Sequence, residues 1–404
     1  MLRNYFKVVL RHYRKHKLYA GLNLLGLVIA YTAVFLIAVY LLHETSYESF
    51  HTQKNQIYRL SHHDYADGGF ESHWARTHLD YINDLPEAIP EIEHLIRFQS
   101  HQRRYIRVGQ QKFRAPHTYV TDPEVFEVFD FKLLQGDPTE ALKAPFSIVL
   151  TETIARKYFG DSNPIGQEVA VVGDYTTDEV LHTVTGVMQD LPAHTHLPVD
   201  ILLSYQNEQE RSWWAYIYIL LKDGVEGSIV QQKLPAFIAD HMDENSNRRI
   251  EIILQPLEDI HLHSHLAREI VPNGDIFYIR IFAFVGIFIL LIALINYLNL
   301  SSALAITRSQ EVGMRFVLGA EPKSLIGMAL LESVLYNLLA ASLSLGLSAT
   351  LLPFFLALVE IPSILSVWTL VASLLGLAVI GGLLSGIYPA LVLASSSSQS
   401  VFRL

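Results

Sequence analysis

Hydrophobic positions along this chain fall into two regimes. Four stretches are apolar on every side, and between the first and second lies a long section where apolar and polar residues alternate. Crossing about 30 Å of hydrocarbon at about 1.5 Å per helical residue takes about 20 residues. The first stretch, LYAGLNLLGLVIAYTAVFLIAVYLL, runs from Leu18 to Leu42 without a charge. The second lies between Arg280 and Arg308, and the third between Glu332 and Glu360. The fourth follows Pro362, and its Ser-rich end ASSSSQS favours one helix over two. The pattern predicts spans at 18–42, 281–307, 324–359 and 365–393, each long enough to cross with some tilt. A cleaved signal peptide is the competing reading of the first stretch. It is too long for a signal core, and HETSYESF offers no small-x-small cleavage site, so it is read as an uncleaved helix.

The section 43–280 has a different period. HLIRF, FSIVL, EVAVV, LHTVTGV, WAYIYILL and IEIIL read as strands, while THLDYINDL, TETIARKYF and GSIVQQKLPAFIADHM have helical spacing. Turn signals at YADGGF, QGDPTE, GDSNPIG and KDGVEG divide them. In TETIARKYFGDSNPIG, Thr151 is expected to cap a helix that ends at Gly160. The prediction is a membrane α-helical protein, one span plus three, carrying a large two-lobed α+β domain outside the membrane.

Composition agrees: half of the 404 residues are apolar and only 17% are charged. Charge then orients the chain. Residues 1–17 carry Arg3, Lys7, Arg11, Arg14, Lys15 and Lys17 with no acid, which places the N-terminus in the cytoplasm. Residues 308–323 and the tail 394–404 then fall inside and 43–280 outside, with Arg308, Arg315, Lys323 and Arg403 on the inner side. The basic N-terminal segment also suits a helix lying on the lipid of the inner leaflet. Residues 43–280 carry a net charge of −16, which argues against nucleic acid as a partner. The chain has no cysteine, so this domain stands on its core without disulfides.

FSIVLTETIARKYFGDSNPIGQEV, followed by TVTGVMQDLPAHTHLPVDILLS, resembles the periplasmic core domain of MacB-type ABC transporter permeases. INYLNLSSALAITRSQEVGMRFVLGAEPKSLIGMALLESVL, with GIYPALVLA near the end, is similar to the FtsX-like permease domain. The resemblance covers nearly the whole chain. It implies a permease of the bacterial inner membrane with both termini cytoplasmic, in which a cytoplasmic nucleotide-binding ATPase moves the helices and a periplasmic domain acts on a substrate. The family includes efflux and extraction systems as well as complexes that regulate an envelope enzyme without transport. The sequence supports that division of labour, because it has no GxxxxGK[ST] loop and too little cytoplasmic chain for an ATPase. No enzyme activity and no cofactor are therefore expected on this chain; ATP and Mg would sit on the partner.

Energy would enter through residues 308–323, RSQEVGMRFVLGAEPK, the one inner segment between spans with its own pattern. A short helix there would offer Arg308, Glu311 and Arg315 to a partner, with Lys323 at its end and Gly313 and Gly319 allowing close approach. Phe316 departs from relatives that carry a second basic residue there. Within the spans, Asn296, Asn299, Ser301 and Ser302 are costly in lipid and are expected to face other helices. Glu332 is expected at the headgroup level, with pairing to Arg315 or Lys323 as the alternative. A chain with one such unit would pair with a second permease unit, most simply as a two-fold dimer.

Sixteen of the 18 histidines crowd residues 43–280. In HLHSHL, His261, His263 and His265 would share one face of a strand, as a zinc site requires. They are the low-ranking metal candidates, since the surrounding EDIHL resembles a structural stretch of the family, and His194 and His196 belong to its PAHTHLP turn. A membrane-anchored receptor or metal-dependent hydrolase is the alternative class, and it would rest on that cluster.

Overall fold

A computed structural model of the chain describes residues 17–66, 69–78, 80–100, 105–114, 117–172, 179–207, 211, 214–241, 249–307, 322–359, 361 and 367–400. The chain divides into a membrane unit, up to Thr45 and from Phe277 onward, and an outer unit, Ser46–Ile276.

The membrane unit contains four helices, Lys17–Glu44, Ile276–Thr307, Pro322–Leu358 and Val367–Ser400. Each holds a stretch long and apolar enough to cross a membrane: Gly21–Glu44, Ile276–Ala303, Ile326–Leu358 and Val367–Ala390. Two ends differ from the charge pattern. The second helix starts at Ile276, so Arg280 lies inside its first turns. The fourth continues to Ser400 through the serines expected to form a tail, because neither Pro nor Gly follows Pro389 to stop it.

All four spans contribute to a core that includes Leu27, Tyr31, Phe35, Tyr297, Tyr336, Ala340, Leu374 and Ala378. Tyr31 donates a hydrogen bond across it to Asn337 Oδ1 at 2.8 Å, and Asn337 Nδ2 donates to the Ser333 carbonyl at 3.0 Å. In hydrocarbon these groups have no water to turn to, so each satisfies the other. Span four approaches span three through two glycines one turn apart. A Cβ at Gly382 would lie 2.7 Å from Val334 Cα, and one at Gly386 would lie 2.8 Å from Ser333 Cβ. Small residues at this spacing let two backbones close together, which is where apolar helices in lipid gain packing energy.

The outer unit is built on one mixed sheet. Its strands are β1 (Ile57–Ala66), β2 (Gly69–Trp74), β3 (Ile92–Ser100), β4 (Tyr105–Val108), β5 (Gln111–Arg114), β6 (Thr118–Thr121) and β7 (Leu133–Gln135). They continue with β8 (Ser147–Thr151), β9 (Glu168–Val172), β10 (Glu179–Met188), β11 (Ile201–Ser204), β12 (Tyr216–Leu221) and β13 (Arg249–Pro256). The order across the sheet is β13-β1-β12-β3-β6-β11-β8-β10-β9-β4-β5, with β2 on β1 and β7 on β10. All the strand-like runs in the sequence form strands. The pairs β8·β10 and β6·β11 are parallel and the rest antiparallel.

Strand β12, YIYILL, is buried at all six positions, which explains why it reads as a continuous apolar run rather than an alternation. Helix Gly227–His241 packs Val230, Leu234 and Phe237 with Ile217 and Ile219 of β12 and Ile252 of β13, forming one lobe. Helix Glu152–Phe159 packs Ile154, Ala155 and Tyr158 with β8, β9 and β10 in the other. Thr151 occupies the N-cap position of that helix, but its side chain makes no capping bond; Gly160 ends the helix at φ 62°. A third cluster around Phe98, Phe129 and Tyr218 joins the lobes.

The glycine contact gives a direct test. Gly382→Ala should destabilise the membrane unit by about 2 kcal/mol through overpacking, whereas Gly346→Ala, which opens onto empty space, should be near neutral. Thermal unfolding of the purified chain in detergent would separate the two.

Candidate functional site

Of the expected coupling residues, Arg308, Glu311, Gly313, Arg315 and Gly319 lie outside the described residues, as does Phe316. Lys323 is exposed in the first turn of the third span's helix, and Glu332 is half-buried further along it. On the second span, Asn296 and Asn299 are exposed on the single chain and Ser301 and Ser302 half-buried. Ser302 returns its hydroxyl to the Leu298 carbonyl at 2.7 Å. The other helices of this chain thus leave the two asparagines uncovered.

The histidine cluster takes a different shape from a strand. Ile260–His263 is one helical turn, and its rings go to separate neighbours. His261 is buried and stacks on Tyr47 with ring centroids 3.3 Å apart. His263 lies 3.3 Å from Asp259, and His265 lies 3.6 Å from Asp275. Among the described residues no group of three His, Cys, Asp or Glu could hold a metal ion.

The structure instead concentrates buried charge where the outer unit begins and ends. Glu48 stands four residues past the end of the first helix, at φ 59°, with 1% of its surface exposed. Its backbone N–H donates to the His194 carbonyl at 3.1 Å. Its Oε1 accepts the His196 backbone N–H at 2.6 Å and His196 Nδ1 at 2.8 Å, while Oε2 lies 3.4 Å from His51 Nε2. The chain continues inward: His196 Nε2 meets the Tyr218 hydroxyl at 2.7 Å, in the middle of β12. His51 Nδ1 accepts the Asp130 backbone N–H at 3.1 Å, which leaves Nε2 as the nitrogen that faces Glu48. Burial by itself would raise the Glu48 carboxyl, but the charge and hydrogen bond of His196 and the bonds of His51 outweigh it and hold the group well below the usual carboxylate range.

The segment leading to the second span is fixed in the same way. Arg59, on β1, is fully buried and reaches Glu269 with both terminal nitrogens, at 2.6 and 2.8 Å. Its Nη2 also donates to Gln255 Oε1 at 2.7 Å and Ser264 Oγ at 2.9 Å. Ser264 Oγ donates to Glu269, and Asn273 Nδ2 donates to the Ser264 carbonyl at 3.0 Å. Tyr216 of β12 donates its hydroxyl to the Arg268 carbonyl at 2.7 Å. Both segments that lead to spans are therefore bonded to β1 and β12, neighbouring strands inside one edge of the sheet. Removing one partner of a buried ion pair strands the other without water, so each network resists being pulled apart.

Sequence reasoning missed Glu48, Arg59 and Glu269. The only local signal is an acid set between aromatics in SYESFH; Arg59 and Glu269 are separated by 210 positions and share no motif.

With this geometry in view, the comparisons with known proteins divide the chain as the fold does. Residues 20–237 match the MacB-like periplasmic core domain, and residues 283–397 match the FtsX-like permease C-terminal domain. The chain belongs to the MacB/FtsX-like permease family. It is a multi-pass membrane protein with an extracytoplasmic domain, and the family implies an ABC-type ATPase as partner. Among solved structures, a permease-protein domain from Porphyromonas gingivalis is similar at 18% identity and TM-score 0.44, over 51% of this chain and 91% of that one. The periplasmic region of MacB from Actinobacillus actinomycetemcomitans is similar at 17% identity and TM-score 0.33, over 48% and 87%. The extracellular domain of the ABC-type transporter YknZ from Gram-positive bacteria is similar at 12% identity and TM-score 0.35, over 49% and 99%. No curated protein sequence is matched.

The buried groups set a pH profile. Glu48, depressed in the folded state, contributes stability that is fully present above about 4.5 and lost only as pH falls through its much lower folded value. His63, on β1, is pushed down to about 4 by burial and by the charges of His73 and His62, against Glu251. Its neutral form stabilises the fold above about 6.5, and that contribution is lost as pH falls from there towards about 4. Glu48→Gln should cost about 3 kcal/mol at pH 7, and His63→Gln should flatten the decline between pH 6.5 and 4. Denaturant unfolding of the full chain in detergent, followed by tryptophan emission, measures both.

Proposed function

We propose that this chain is the permease subunit of an ABC transporter that carries ATP-driven motion of a separate ATPase to the outer domain, for efflux or extraction of a substrate at the cell envelope. In this reading ATP and Mg bind the partner, and this chain has no hydrolytic chemistry of its own. The observation that carries it is the bonding of both span-linked segments to the neighbouring strands β1 and β12 through Glu48 and Arg59. Displacement of a span is passed to a sheet that is bonded to the linker, rather than absorbed by a loose tether.

The chain lies in the bacterial inner membrane with both termini cytoplasmic, as the six basic residues before Leu18 favour. A second permease unit covers the second span, because Asn296 and Asn299 are exposed on the single chain inside an apolar helix. The reading as a metal-dependent hydrolase draws no support from HLHSHL, whose rings face separate partners.

If residues 308–323 dock the ATPase, Arg308→Glu with Arg315→Glu should abolish the ATP hydrolysis that the permease stimulates in its partner, while membrane insertion is kept. Stimulation equal to that of the unaltered chain would overturn the assignment of this segment.

A further inference from the structure

Strands β1 and β2, with the turn after them, hold His62, His63, His73 and His78, none of which the permease reading uses. Strand β2 is attached lightly. It lies off the main path of the sheet and pairs with β1, apart from a one-residue bridge between Trp74 and Ala267. Two backbone bonds flank that bridge, from the Ala75 N–H to the Ala267 carbonyl at 3.0 Å and from the Ala267 N–H to the His73 carbonyl at 2.8 Å.

The register sets His63 beside Glu251 of β13 on one side and His73 of β2 on the other. The two imidazoles have centroids 3.6 Å apart, and His63 is 6% exposed. Its tautomer follows from Ser61. The Ser61 hydroxyl donates to the Ile253 carbonyl at 3.1 Å, so its oxygen accepts from His63 Nε2–H, also at 3.1 Å. Nδ1 is then the bare nitrogen, and it is buried without a hydrogen-bond partner. A second proton on His63 has to go there, with no acceptor to meet it and the His73 ring alongside.

The other groups around His63 leave that proton unfavourable. Glu251, the carboxylate of this row, is paired with Arg249, whose guanidinium also lies 5.9 Å from the Tyr65 ring centroid. The Tyr65 hydroxyl meets His73 Nε2 at 3.4 Å. Further along the same face of β1, Arg59 and Glu269 are closed on each other. The opposite face carries Asp64 and His62, whose Nδ1 meets Thr77 Oγ1 at 3.1 Å and whose ring lies 5.8 Å from that of His78. Burial first, then the charges of His73 and His62, hold the His63 ring down at about 4 against the pull of Glu251.

We propose that β2 is a flap released by acid: neutral imidazoles let it lie on β1, and acidification puts charge on His63 and His73 side by side and lifts it. The open hairpin takes up protons that the closed one refuses. Closure is therefore favoured above about 6.5, and the open form gains as pH falls from there towards about 4, where His63 protonates in place. Opening uncovers the edge of β1 from His62 to Ala66 and parts Trp74 from Trp214, which stack at 4.7 Å in the closed state. The flap rests on the extracytoplasmic position of the outer unit and not on the transport reading.

Hydrogen exchange of the full chain in detergent, read by mass spectrometry at pH 7.5, 6 and 5 and corrected for the intrinsic pH dependence of amide exchange, tests it. Opening of residues 69–74 should rise about tenfold or more between pH 7.5 and 5, with β12 unchanged. Tryptophan emission should shift over the same range. His63→Gln should remove most of this pH dependence while β2 stays closed at pH 7.5. His73→Gln, at a half-buried position, should reduce it and keeps the test open if the first variant does not fold. Exchange in β2 that is flat with pH, that rises equally in β12, or that keeps its full pH dependence in the folded variants would overturn the proposal.

Discussion

A carboxylate buried four residues beyond a membrane helix has to be neutralised where it stands, and the start of the outer unit is arranged around that requirement. Glu48 is satisfied by His196 and His51, and His196 is in turn held by Tyr218 in the middle of β12. The cost of separating any of these groups falls on a buried charge, so the segment leaving the first span cannot move without the strand to which it is bonded. Arg59 and Glu269 impose the same condition on the segment that leads to the second span. Two independent ionic locks, one at each end of the outer unit, make β1 and β12 the common support of both.

The membrane unit follows a different physics. Its helices gain nothing from hiding apolar surface, so they rely on close packing and on the few polar groups that can find each other. Gly382 and Gly386 supply the closeness between spans three and four, and Tyr31 with Asn337 ties span one to span three. Span two joins this core through Tyr297, which stacks on Tyr336 of span three, while another face presents Phe284, Phe288, Ile292 and Ile295 outward together with Asn296. A helix with an exposed polar edge in an apolar setting is the place where this chain has most to gain from a second unit.

The spans were legible because length and absence of charge are local properties, and the strands because β-branched and aromatic residues cluster in short runs. What local pattern could not reveal were bonds between distant segments. Arg59 reads as one more arginine in a strand, and its partner lies far along the chain; Glu48 reads as a surface acid until the PAHTHLP turn is folded over it. The three histidines of HLHSHL misled for the converse reason. Their spacing suits a metal only on a strand, and the sequence EDIHLH closes into a helical turn instead. Trp74 and Trp214 likewise meet only because β2 and β12 pair with successive stretches of β1, the end of β2 next to the start of β12.

In the proposed reading, force enters this chain from a separate ATPase and the two buried networks pass it on. The most direct measurement is the composition of the complex isolated from its native membrane in mild detergent through a tag on this chain. The account predicts that a nucleotide-binding ATPase co-elutes, with ATP hydrolysis in the eluate and a mass that contains two permease units. A chain that elutes alone, with no ATPase and no ATP hydrolysis, would contradict it.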